Sequence, residues 1–214
     1  MTNPNLSHLV FLLDRSGSMQ SIKSDVIGGF DAFLAEQRAA DGQCVATLAQ
    51  FDNEYEVVYR GVPLAQVPLL DLSPRGTTAL LDSMGKLITD TAAEIDALPE
   101  DDKPGTVVVA IMTDGHENAS VEWQRPAIKA FVEQQTNDHG WAFLYMGADQ
   151  DAVEVGAGLG VKAEQSVTYG RGKSREVWAA ASGNVARYRG AKRLDADAAM
   201  PEFSDEQRAE LADG

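Results

Sequence analysis

Three uninterrupted apolar runs constrain this chain more than any other feature: "LVFLL" at 9–13, "VVVAIM" at 107–112 and "WAFLYM" at 141–146. A strand with one face in water alternates apolar and polar residues, whereas a continuous run is buried on both faces, as in a parallel sheet covered by helices. Helical periods lie between the runs. Ile22, Val26, Ile27, Phe30, Phe33 and Leu34 form one apolar stripe, Leu80, Leu81, Met84, Leu87, Ile88 and Ile95 a second, and Val177, Ala181, Val185 and Tyr188 a third. The stretch 45–61 reads as two strands around a polar turn at Asp52, Asn53 and Glu54, which adds a hairpin and one antiparallel strand. The predicted order is a strand at 8–14, a helix at 20–40, the hairpin, a helix at 78–97, a strand at 106–113, a helix at 125–138 and a strand at 141–147. A short helix, a brief strand at 166–169 and a last helix at 174–190 complete it. This is a doubly wound α/β fold, Rossmann-like, with about six mostly parallel strands and one antiparallel edge strand; such sheets carry ligands at the carboxyl ends of their strands.

Charge narrows the function classes. The 214 residues hold 18 Lys plus Arg against 33 Asp plus Glu, a net charge of −15, so nucleic acid and anionic membrane surfaces are disfavoured as partners. The opening "MTNPNLSHLVFLLDR" shows no basic leader, and its apolar run is too short for a membrane span, so a cytoplasmic location is expected. The single Cys44 sits in a strand-like apolar run and reads as a buried, inert thiol. Past the last helix the pattern dissolves. Residues 1–193 are read as one domain and 194–214 as an acidic, flexible or loosely docked tail, with seven acids and one Arg from Asp195 onward.

The first run ends in "DRSGSM", with Asp14 at the carboxyl end of its strand and Ser16 and Ser18 in the loop that follows. Alternate residues of an extended loop point the same way, so one carboxylate and two hydroxyls can converge. The second run ends in "TDGHEN", a strand running into Asp114, and "RGTTALL" places Thr77 and Thr78 just before a helix. Three loops at one sheet edge would thus bring hard oxygen donors to one point, which suits Mg²⁺ and disfavours a soft ion. The plainer reading of each piece is a helix cap or turn, since Asp and Ser bond backbone amides at helix starts. His116 reads as a surface or capping histidine.

Together "DRSGSM", the Gly-Thr-Thr-Ala-Leu stretch and "TDGHEN" resemble the metal-ion-dependent adhesion site (MIDAS) of von Willebrand factor type A (vWA) domains, over residues 8 to about 190. The resemblance implies a divalent ion, Mg²⁺ with Mn²⁺ or Ca²⁺ as substitutes, held directly by Ser16, Ser18 and Thr78 and partly through water by Asp14 and Asp114. Thr78 fits the family interval better than Thr77. It also implies a non-enzymatic module whose ion takes an Asp or Glu from a protein partner, with the last helix shifting when the ligand changes. Stand-alone bacterial members are associated with tellurium resistance and related stress responses, or with assemblies containing ATPases. A metal-dependent phosphoester hydrolase is the competing reading. It lacks a second acid beside Asp14 and has only Arg15 and Arg75 nearby as phosphate clamps. "YGRGKSR" lacks the first Gly of a phosphate loop, because Val167 stands there, and "GAGLG" reads as a turn.

Overall fold

A computed structural model describes residues 2–212. Its frame is one six-stranded sheet with the strand order β3-β2-β1-β4-β5-β6. Central β1 (Asn3–Asp14) pairs in parallel with β2 (Gln43–Phe51) on one side and β4 (Pro104–Thr113) on the other. Beyond β4 come β5 (Ala142–Ala148) and β6 (Ser166–Tyr169), also parallel, while β3 (Tyr55–Pro63) returns antiparallel to β2 as the edge. The expected doubly wound sheet with one antiparallel edge strand is what the chain forms.

Each continuous apolar run serves two cores. Along β1, Leu9, Phe11 and Leu13 face α1 (Lys23–Ala39) and α5 (Ser174–Leu194), while Val10 and Leu12 face α2 (Leu80–Asp96) and α3 (Arg125–His139). Full burial of such a side chain is worth about 1.5–3 kcal/mol, so both layers hold the sheet. Helix α4 (Ala152–Gly158) follows β5 and packs with the second core. Two starts differ from the periodicity. A 3₁₀ turn, Gly17–Ser21, precedes α1, and α2 begins at Leu80, two residues past the expected start. Both shifts leave Ser16, Ser18 and Thr78 outside the α-helices, at the carboxyl edge of the sheet.

The segment after α5 corrects an expectation. Instead of a loose tail, residues 195–212 turn back over the molecule and bury Met200, Phe203 and Leu211 in the core beneath α1 and α5. Helix α6 (Asp205–Ala212) lies along the β6 edge, where Gly170 N–H donates to the Leu211 carbonyl at 2.9 Å. The Arg208 guanidinium forks onto the carbonyls of Ser166 at 2.6 Å and Ala163 at 2.8 Å. The acids dominate this segment's composition, but three well-spaced apolar residues suffice to dock it, and docking covers an edge strand that would otherwise stand open. Among the described residues no helix is long and apolar enough to cross a membrane.

Candidate metal centre

Parallel register decides which residues meet. Asp14 of β1 lies opposite Phe51 of β2, and Leu13 lies opposite Met112, so Asp14 and Asp114 leave adjacent strands at the same edge. Asp14 is fully buried. Its Oδ1 accepts the Ser16 N–H at 2.6 Å, and its Oδ2 accepts the Thr113 hydroxyl at 2.6 Å. The first bond is the turn that the plainer reading expected. The second half of that reading fails, because the Ser16 hydroxyl caps nothing and lies 3.1 Å from the Ser18 hydroxyl instead. Ser18 Oγ in turn donates to Asp114 Oδ1 at 2.6 Å.

Thr78 reaches the locus from a third loop stitched to the first. Arg75 N–H donates to the Arg15 carbonyl at 2.7 Å, and Ala79 N–H to the Asp52 carbonyl at 2.8 Å. Asn118 clamps Thr78, its Oδ1 accepting the Thr78 N–H at 3.0 Å while its own N–H donates to the Thr78 carbonyl at 3.0 Å. Thr78 is buried, whereas Thr77 is exposed. A methyl group placed on Gly115 would stand 2.9 Å from Thr78 Oγ1 and 3.7 Å from Asp14 Oδ2, so the Thr78 hydroxyl and the Asp14 carboxylate flank one gap that only glycine leaves open. All five predicted residues, Asp14, Ser16, Ser18, Thr78 and Asp114, are thereby placed around one locus, and Thr78 is the threonine that reaches it. His116 is exposed.

Electrostatically the locus asks for a cation. Burial pushes the Asp14 carboxyl up to about 6, against the hydrogen bonds from Thr113 and Ser16, and the charge of Asp114 adds to the rise. Among the described residues only neutral donors touch Asp14. Among the described residues no group of three or more His, Cys, Asp or Glu is placed to hold an ion, so any ion at this locus would draw on the hydroxyls. Three hydroxyls and two carboxylates, one of them buried without a counter-charge, fit a hard divalent cation. Sequence reasoning missed Thr113, Asn118 and Arg171 as neighbours of the site, because their partners lie far away along the chain and no spacing rule announces them. Arg15 and Arg75 are engaged elsewhere: both donate to Asp52, at 3.1 and 2.8 Å, and they pair further with Glu56 and Glu54. Cys44 is half-buried, and burial pushes its thiol up to about 11, which keeps it protonated.

No family model matches the sequence, and no curated protein matches it. Solved structures do. The von Willebrand factor domain of the type V pilus tip protein Mfa5 from Porphyromonas gingivalis superposes with a TM-score of 0.60 at 11% identity, over 84% of this chain and 94% of that one. A von Willebrand factor type A protein from Catenulispora acidiphila gives 0.53 at 13%, over 83% and 42%. Proximal thread matrix protein 1 of the mussel byssus, in a form described with a zinc-occupied MIDAS motif, gives 0.60 at 14%, over 84% and 46%. The chain spans less than half the length of the mussel and Catenulispora proteins. At such identities the likeness is one of architecture, and the architecture of this chain is that of the von Willebrand factor type A domain.

Proposed function

We propose that this protein is a non-enzymatic interaction module that engages a carboxylate of a protein partner through a divalent ion at the Asp14 locus. The observation that carries the proposal is the convergence of Asp14, Ser16, Ser18, Thr78 and Asp114 from three loops, around a gap guarded by Gly115, with Asp14 buried and lacking a counter-charge among the described residues. Ser16, Ser18 and Thr78 present neutral oxygens, so they fix a cation without cancelling its charge. An ion bound there would offer a partner's Asp or Glu a charge-assisted bond. Ser18 and Gly17 are exposed, which leaves the locus open on the side a partner would approach. The all-oxygen donor set favours Mg²⁺, with Mn²⁺ or Ca²⁺ as alternatives, although a structural neighbour is described with zinc in its motif. Commitment of Arg15 and Arg75 to Asp52 takes up the two cations that a phosphoester hydrolase would have used as phosphate clamps, which supports a binding role.

Calorimetric titration of the full chain with Mg²⁺ and Mn²⁺ tests the ion. Asp14→Ala is expected to weaken binding by more than about a hundredfold, beyond the usual loss for an outer-shell change, and undiminished affinity would refute the assignment. Affinity purification in Mg²⁺ and in EDTA tests the partner. Proteins held in Mg²⁺ and released by EDTA are expected, whereas identical recovered sets would remove the partner half of the proposal.

A further inference from the structure

The one-turn 3₁₀ segment Arg171–Lys173, between β6 and α5, sets a guanidinium against the candidate metal centre. Arg171 Nη1 lies 3.0 Å from Asp114 Oδ2, and it donates to Ser21 Oγ at 3.0 Å and to the Ser18 carbonyl at 3.3 Å. Arg171 Nε donates to Asp149 Oδ2 at 2.7 Å. The two acids hold it differently. The bond to Asp149 is a directed hydrogen bond, but the approach to Asp114 Oδ2 lies off the line of one and is Coulombic only. Asp149 is itself locked in a left-handed backbone conformation, φ 49°, with its N–H on the Tyr169 carbonyl at 3.1 Å. A non-glycine residue held there is fixed by its surroundings. The side chain of Asp114 has no exposure, while that of Arg171 keeps 39%.

We propose that Arg171 is a tethered cation which neutralises Asp114 in the ion-free protein and thereby sets how tightly the site takes a divalent ion; the inference rests on the metal-centre reading above. Arginine cannot shed its proton, so its charge persists at any working pH. With Ser18 on Oδ1 and Arg171 beside Oδ2, both oxygens of Asp114 are engaged before any ion arrives. An incoming dication meets a like charge across a shared carboxylate, and affinity falls whether the guanidinium stays or swings away on its Asp149 tether. Without an ion, the same guanidinium is the only side-chain cation paired with Asp114 among the described residues. Arg171 is therefore a positioning residue with opposite effects on the two states: it stabilises the empty site and opposes the filled one.

The experiment compares the full chain with Arg171→Gln and Arg171→Lys by Mg²⁺ and Mn²⁺ calorimetry and by thermal melts in EDTA. Arg171→Gln is expected to bind the ion about tenfold more tightly while melting lower in EDTA, and Arg171→Lys, which keeps the charge, to stay within about twofold of the parent affinity. A residue of merely structural importance would lose on both measures. Equal or weaker binding by Arg171→Gln overturns the inference alone, as does a lysine variant that behaves like the glutamine one. Binding by none of the three proteins overturns the metal centre and this inference together.

Discussion

Two buried side chains on β1 give the ion-free protein opposing responses to pH. Asp14 has its carboxyl raised from 3.8 to about 6 by burial, so the fold binds its proton more tightly than the unfolded chain does. That stability is fully present below 3.8 and is lost as pH rises toward 6. His8 has its ring lowered from 6.5 to about 4 by burial, with Nε2 2.9 Å from Thr47 Oγ1. Its contribution is present above 6.5 and is lost as pH falls toward 4. Each effect is worth roughly 3 kcal/mol across its window, so they largely cancel between them. Asp14→Asn is expected to raise the melting temperature in EDTA at about pH 7, to converge with the parent near about pH 4, and to leave the acid loss due to His8 unmasked. A melt series in EDTA over that range checks both. In saturating Mg²⁺ the sign at neutral pH should reverse, because only the parent gains from bound ion. The spacing Asp14, Ser16, Ser18 was legible without coordinates because it follows one strand end. The state of Asp14 was not, since it depends first on burial in the assembled fold, and then on Thr113 and Asp114 arriving from another strand.

At the scale of elements, the contact between α1 and α5 is the most extensive helix pairing among the described residues. Trp178 packs edge-on against Phe30 at 5.3 Å and Phe33 at 5.4 Å, over Phe11 of β1. The helices approach this closely at Gly29, where an added Cβ would lie 2.8 Å from the Trp178 ring and 3.1 Å from both the Arg175 Cα and the Ser174 carbonyl. Its neighbour Gly28 faces only the mobile end of Arg175, at 3.2 Å. Gly29→Ala should therefore cost about 1–3 kcal/mol as backbone is forced apart, exceeding the gain in helix propensity of about 1 kcal/mol. Gly28→Ala should be neutral or stabilising. Denaturant melts of the pair decide, and equal effects would mean that helix contact plays no part. The apolar stripe of α1 was plain in the sequence, but its start was not: a 3₁₀ turn and an α-helix share the first apolar contacts, and the choice between them is settled by the loops that tie residues 15–17 to 75–76.

For the molecule as a whole, the acidic C-terminal segment acts as part of the core. Removing residues 195–214 would expose the seats of Met200, Phe203 and Leu211 and the edge of β6. The expected fall in melting temperature is about 10 °C or more, as several buried side chains are worth more than about 3 kcal/mol together. An unchanged melt would mean that the segment is held only loosely. By itself the sequence determined the parallel sheet, because residues buried on both faces must be apolar without interruption, and it determined the oxygen-rich loops, because each follows a strand end or precedes a helix locally. Tertiary structure decided what lay between distant segments: which threonine faces the gap, that Arg171 lies against Asp114, and that an acidic segment docks. Those outcomes depend on contacts between residues up to about 150 positions apart, whose free energy is realised only once the sheet has aligned their strands.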